Sequence, residues 1–305
     1  MRAMPGALAQ GLIWGIMAIG VYITYKIMNV SDLTVDGSLC TGAAVCVIMM
    51  LNGVPVWLAL ICAFISGLLA GLVTGVLHTV CGIPAILAGI LTQLALYSIN
   101  LHIMGWGTDH GSKSNLPISV DKYDLLVSQR YVMEGSLRNP LPILVIFLIV
   151  IIGLLYLFFG TELGASLRAT GANPNMARAQ GINTDFAKIL GLMLSNGLGT
   201  LSGALLAQFQ GFSDINMGRG AIVIGLAAVI IGDVIFSKLF HNFALKLFAC
   251  AVGSIIYYVV IQLVLKLGLS TDDLKLLTAV VVGAFLSVPY LKGRYNETHV
   301  KKGAL

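Results

Sequence analysis

The run Leu141–Phe159, LPILVIFLIVIIGLLYLFF, constrains this chain most, because it carries no charged side chain and is apolar on every side of a helix. An α-helix needs ~20 such residues to cross a bilayer, whereas a helix on a water-soluble core is apolar along one stripe only. Comparable runs recur at roughly 7–28, 38–52, 55–77, 83–104, 186–209, 219–236, 243–266 and 274–291. With 58% hydrophobic and only 10% charged residues, the composition agrees, since a soluble domain carries roughly 25% charge. A β-barrel would alternate polar and apolar residues in ~10-residue segments, and no such alternation is present. The expected fold is therefore an all-α integral membrane protein of about nine transmembrane helices, forming one transmembrane domain over residues 1–305. Its first run lacks a basic n-region and a convincing cleavage site, so it reads as a retained span.

Between the spans lie three polar segments: 105–140, 160–185 and the basic stretch 292–305. A basic tail after a last span is expected in the cytoplasm. Nine spans then place the first residues and the 105–140 loop outside and the 160–185 segment inside. The Lys and Arg residues sort only weakly by this scheme. Cys40, Cys46, Cys62, Cys81 and Cys250 fall in or beside apolar runs without CxxC spacing, so they read as packing residues and no metal site is expected. His102 and His110 read as interfacial. Asp233 stands isolated near the inner end of its span, and no acid or base cluster is visible in mid-span.

Glycines recur at four-residue spacing as Gly67, Gly71 and Gly75, and again as Gly199 and Gly203. Small residues on one face let helices pack closely, here within a single bundle. The stretch GAAVCVIM from Gly42 resembles GLAAVIIG from Gly225, and each follows a polar segment, SDLTVDGS or SDINMGRG. Their offset of five spans is odd and places them in opposite orientation, the inverted-repeat plan of many transporters. Asp32, Thr34, Asp36, Asp214 and Asn216 lie in these segments. They either line a path beside broken or half helices, or serve as N-caps in which Ser31/Asp32 and Ser213/Asp214 satisfy the next helix; the two readings are compatible. Gln93, Tyr97 and Asn100 share one face of the fourth span, lining a pore or bonding to neighbouring helices.

The segment TELGASLRATGANPNMARAQGINTD, with SDLTVDGSLCTGAAV, LAGILTQLALYSINLHIMG and NGLGTLSGALLAQFQG, resembles permease subunits of ABC importers of the branched-chain amino acid and ribose type. Within them the chain is most similar to the bacterial branch associated with tryptophan- and tyrosine-type binding lipoproteins. The resemblance covers nearly the whole chain. It implies a type II-like importer permease fold in the bacterial cell membrane. It further implies that Gly164, Arg168, Ala169, Gly171, Asn173, Ala177, Arg178 and Gly181 couple to an ATPase subunit. Ribose-type permeases begin with one span more than this chain.

No GxxxxGK[ST] sequence is present to cradle phosphates, so ATP and magnesium are expected on the partner and no cofactor or catalytic residue here. The implied partners are an ABC ATPase, a substrate-binding lipoprotein and a second permease copy, most simply a homodimer. The solute is a small molecule, with an amino acid favoured over a sugar or nucleoside. A gradient-driven transporter would need buried mid-membrane carboxylates, and an intramembrane enzyme a nucleophile with its base; the sequence displays neither. The sidedness has a direct test. Lys113→Cys, in a chain with its native cysteines replaced, is expected to react with an impermeant thiol reagent on intact cells; labelling only after lysis reverses the topology.

Overall fold

The computed structural model describes residues 4–106, 111–119, 122–123, 125–133, 139–236 and 242–266, with scattered positions between 276 and 287. Helix α1 (Met4–Tyr22) widens into a π-helical turn, Ile23–Ile27. There follow α2 (Val35–Leu51), α3 (Val56–Thr79), α4 (Ala85–Met104), strand β1 (Asn115–Pro117), α5 (Gln129–Met133) and α6 (Pro140–Gly160). The short pair α7 (Glu162–Ala172) and α8 (Pro174–Ala179) leads into α9 (Thr184–Gln210), strand β2 (Phe212–Asp214), α10 (Ala221–Phe236) and α11 (Phe243–Lys266). The two strands pair antiparallel, Leu116 opposite Ser213, and make a ribbon at one end of the bundle. The α7–α8 hairpin marks the other end.

Among the described residues six helices are long and apolar enough to cross a membrane: Met4–Ile27, Val56–Thr79, Ala85–Met104, Pro140–Gly160, Thr184–Gln210 and Phe243–Val264. Two further apolar helices, α2 and α10, are shorter. At 1.5 Å per residue each spans only ~25 Å, less than the ~30 Å hydrocarbon layer. Eight of the nine expected spans thus correspond to helices. The ninth, 274–291, lies largely outside the described residues, as do His110 and the 292–305 tail; Val282 packs with Ala227, Ile231 and Tyr257.

The core is centred on α9, which packs most extensively against α3 and α2. The glycine stripes are what allow it. A Cβ on Gly67 would strike Thr200 and the Asn196 carbonyl, one on Gly71 the Leu192 carbonyl, and one on Gly75 would stand 3.0 Å from Ile189 Cα. On α2, Gly42 meets the Thr200 backbone, while Gly203 of α9 meets the Leu39 carbonyl. These helices approach backbone to backbone, so the small-residue spacing serves packing inside one chain, as expected. Large apolar side chains on α3 and α6, such as Ile61, Leu69, Ile146 and Leu157, are half or more exposed, as a surface against lipid requires.

Gly71→Leu is expected to force α3 from α9 at a cost of ~3 kcal/mol, read as a fall in melting temperature of the detergent-solubilised protein. Gly153→Leu on α6, where nothing lies within 4 Å of the added Cβ, serves as a control and is expected to change it little.

Candidate functional site

Helices α2 and α10 begin inside the bundle and run in opposite directions. Residues 28–34 lead inward from the hairpin end in an extended path that includes Asn29 in the left-handed region, φ 54°. Cys46 of α2 then receives a hydrogen bond from Gln208 near the end of α9, so α2 runs toward the ribbon. Residues 215–220 turn inward from the ribbon, and α10 then runs to the hairpin end, where Asp233 meets Lys26 at 2.9 Å. Asp233 is therefore not the isolated acid expected from the sequence.

A helix that starts inside a membrane leaves backbone N–H groups that water cannot reach. Two carboxylates satisfy them. Asp32 Oδ1 accepts from Thr34 N at 2.9 Å, at the start of α2. Asp36, in the first turn of α2, reaches across to α10: its two oxygens accept from Gly220 N at 3.0 Å and Ile222 N at 2.9 Å. The expectation that Ser213 and Asp214 cap α10 is thereby corrected. Asp214 Oδ1 instead accepts from Asn216 N at 2.7 Å within the turn, and Ser213 donates to the Met104 sulfur at 3.6 Å. The capping group comes from another helix because the N-termini of α2 and α10 meet.

Around this junction the buried polar groups form two chains. Asn196, halfway along α9, donates to Asp32 Oδ2 at 2.7 Å and accepts from Ser38 at 2.8 Å. Thr34 bonds to Thr74 at 2.8 Å, and Thr74 to Thr92 at 2.9 Å, which joins α2 to α3 and α4. Asp32 is 3% exposed and Asp36 half-buried, so both acids are enclosed by the bundle at the start of α2. Such a carboxylate is tolerated because each oxygen has a donor.

The structure brings Asp32, Thr34, Asp36 and Asn100 together. Asn100 donates to Gly37 O at 3.4 Å, and its own carbonyl has no partner. The polar stripe on α4 divides: Asn100 is buried, Gln93 half-buried and Tyr97 exposed. Asp214 stays at the ribbon, receiving Asn115 at 3.4 Å, while Asn216 and Arg219 are exposed beside the start of α10. Sequence reasoning missed Asn196, Ser38, Thr74 and Thr92. Asn196, an amide midway along an otherwise apolar run, was the available signal.

At the hairpin, three polar residues cap their helices. Thr161 accepts from Gly164 N at 3.4 Å, Asn173 from Asn175 N and Met176 N at 3.1 Å, and Asn183 from Asp185 N and Phe186 N at 3.2 and 3.1 Å. Gly181 adopts φ 81° in the turn before α9, a conformation that suits glycine. Gly171 lies against the Ile27 carbonyl, Gly164 against the Phe158–Phe159 backbone, and Ala177 is buried. Arg168 donates to Phe159 O at 2.8 Å, and Arg178 to Thr184 at 2.7 Å with Asp185 at 3.4 Å. Both arginines thus hold the hairpin, with exposed surface remaining. Ala169 is half-buried and Asn173 exposed, and Met176, at 63% exposure, projects from α8.

A bundle of membrane spans interrupted by opposed half helices, with a polar junction and a structured hairpin at one end, defines a membrane transport subunit. The chain belongs to the family described as the branched-chain amino acid transport system / permease component, whose model matches residues 4–289. It is an ABC-type permease, a transport subunit and not an enzyme, and a multi-pass protein of the bacterial inner membrane. It is 42% identical over 301 residues to the tyrosine transport system permease protein of Clostridioides difficile (strain R20291), covering 99% of this chain and 96% of that protein. An uncharacterized protein of Rickettsia prowazekii (strain Madrid E) is 37% identical over 296 residues, covering 96% and 99%. An inner membrane ABC transporter permease protein of Escherichia coli (strain K12) is 26% identical over 238 residues, covering 77% and 69%. No solved structure matches the chain.

Asp36→Ala is expected to strand the Gly220 and Ile222 N–H groups and lower stability by ~3 kcal/mol, with Asp36→Asn costing about half as much. Thermal unfolding in detergent checks the order.

Proposed function

We propose that this chain forms the translocation path of an ATP-driven importer for a small solute, an amino acid, with an aromatic one such as tyrosine as the first to try. The observation that carries the route is the meeting of α2 and α10 at Asp36. Beside it, Arg219 and the half-buried start of α10 present positive charge suited to a solute carboxylate. Asp36 suits its ammonium group, and the exposed Tyr97 ring its aromatic side chain. The 42% identity to a tyrosine transport system permease protein supports the same class of solute and favours it over a sugar or nucleoside.

A substrate-binding lipoprotein delivers the solute at the ribbon end, and two copies of the chain enclose the path as a homodimer. A separate ABC ATPase, which holds ATP and magnesium, docks at the hairpin end on the cytoplasmic side. Asn173, Met176 and the exposed parts of Arg168, Ala169, Arg178 and Gly181 offer it surface, while Gly164, Gly171 and Ala177 keep the hairpin compact. An ion gradient is the less favoured driving force, because Asp32, held by Thr34 and Asn196, is 3% exposed and closed off from a passing ion.

Proteoliposomes holding the permease, its ATPase and its binding lipoprotein test the reading. Labelled tyrosine is expected to accumulate only with ATP and binding protein present, and Met176→Asp to reduce solute-stimulated hydrolysis at least ~10-fold without unfolding the chain. Uptake driven by sodium or protons without ATP overturns it.

A further inference from the structure

A cavity of about 420 Å3 opens at the hairpin end, away from the half-helix junction, lined among others by Tyr22, Lys26, Arg168, Phe243 and Lys246. Its three cations come from the π-helical end of α1, from α7 and from the first turn of α11. One acid, Asp233, pairs with Lys26. Arg168 spends one N–H on the Phe159 carbonyl, and Lys246 has no ion-pair partner among the described residues. Snorkelling accounts for a single lysine at the end of a span. It does not account for three cations, distant in sequence, around one concavity, whose charge Asp233, beside Lys26 and Lys246, offsets only in part.

We propose that this cavity binds the phosphate of an anionic phospholipid headgroup. The level is right: Lys26 closes the span Met4–Ile27, Lys246 lies in the first turn of Phe243–Val264, and Arg168 follows the end of Pro140–Gly160. Basic pockets between helices at this level take anionic headgroups. Exposed apolar side chains adjoin it in sequence, Tyr25 at 42%, Leu245 at 41% and Phe248 at 42%, which offer the acyl chains a surface. A bound phosphate bridges α1, α7 and α11 and steadies the hairpin. Of its three cations, Arg168 is shared with the surface offered to the ATPase, while Lys26 and Lys246 are not.

The test uses the full-length permease in nanodiscs of phosphatidylcholine with graded phosphatidylglycerol. Phosphatidylglycerol is expected to raise the melting temperature, the amount needed for half the effect to rise about fivefold in Lys246→Gln, and Lys246→Arg to retain the original response. Native mass spectrometry of the wild-type chain, washed with phosphatidylcholine, is expected to show retained phosphatidylglycerol, a readout that needs no variant. Equal stabilisation by the two lipids, an unchanged response in Lys246→Gln, or no retained phosphatidylglycerol overturns the proposal. So does full stabilisation by inorganic phosphate in pure phosphatidylcholine discs, which assigns the pocket to a free anion.

Discussion

The fold depends on one exchange of hydrogen bonds: a carboxylate on the first turn of α2 accepts from the first N–H groups of α10. A helix that begins inside a membrane has no water for its leading amides, and each amide left bare costs several kcal/mol. Asp36 resolves this for α10, and Asp32 accepts from the Thr34 N–H just ahead of α2. Each solution places a carboxylate in the bundle, which in turn requires donors. Asn196 supplies one to Asp32, and the backbone of α10 supplies two to Asp36. Half helices, buried acids and the amide on α9 thus form a single arrangement in which removing one member leaves another exposed. The glycines make it compact, since Ser38 can bond to Asn196 only because α2 lies almost on the α9 backbone at Gly42 and Gly203.

At the hairpin end the same economy of polar groups serves a different purpose. Thr161, Asn173 and Asn183 each cap a helix start, and Arg168 reaches back to the final turn of α6. The regular pattern of small and polar residues there is largely the frame of a rigid hairpin. The proposed coupling to an ATPase would need this rigidity, because a loop that yields transmits little. The exposed face then reduces to a few groups, with Met176 foremost.

Much of this was legible in the sequence. Runs apolar all round located the spans to within a few residues, and the polar stretches before Gly42 and Gly225 pointed to half helices. The glycine spacing was correctly assigned to packing within one chain. What stayed hidden was partnership. Asp36 and Ile222 are 186 residues apart, Lys26 and Asp233 are 207 apart, and no local pattern specifies such pairs. A helix apolar on every side gives no sign of which face meets protein, so the stripe Gln93, Tyr97 and Asn100 could not be divided into its buried and exposed members. The roles of Arg168 and Arg178 were open for the same reason, since both carbonyl and carboxylate partners are set by where neighbouring helices end.

The most direct test of the account is a structure of the assembled transporter, with its ATPase and a second permease copy, bound to solute. The account predicts solute density beside Asp36, Tyr97 and Asn216 near the start of α10, with Met176 seated in the ATPase. Density in another part of the bundle, with this junction closed off against lipid, would contradict it.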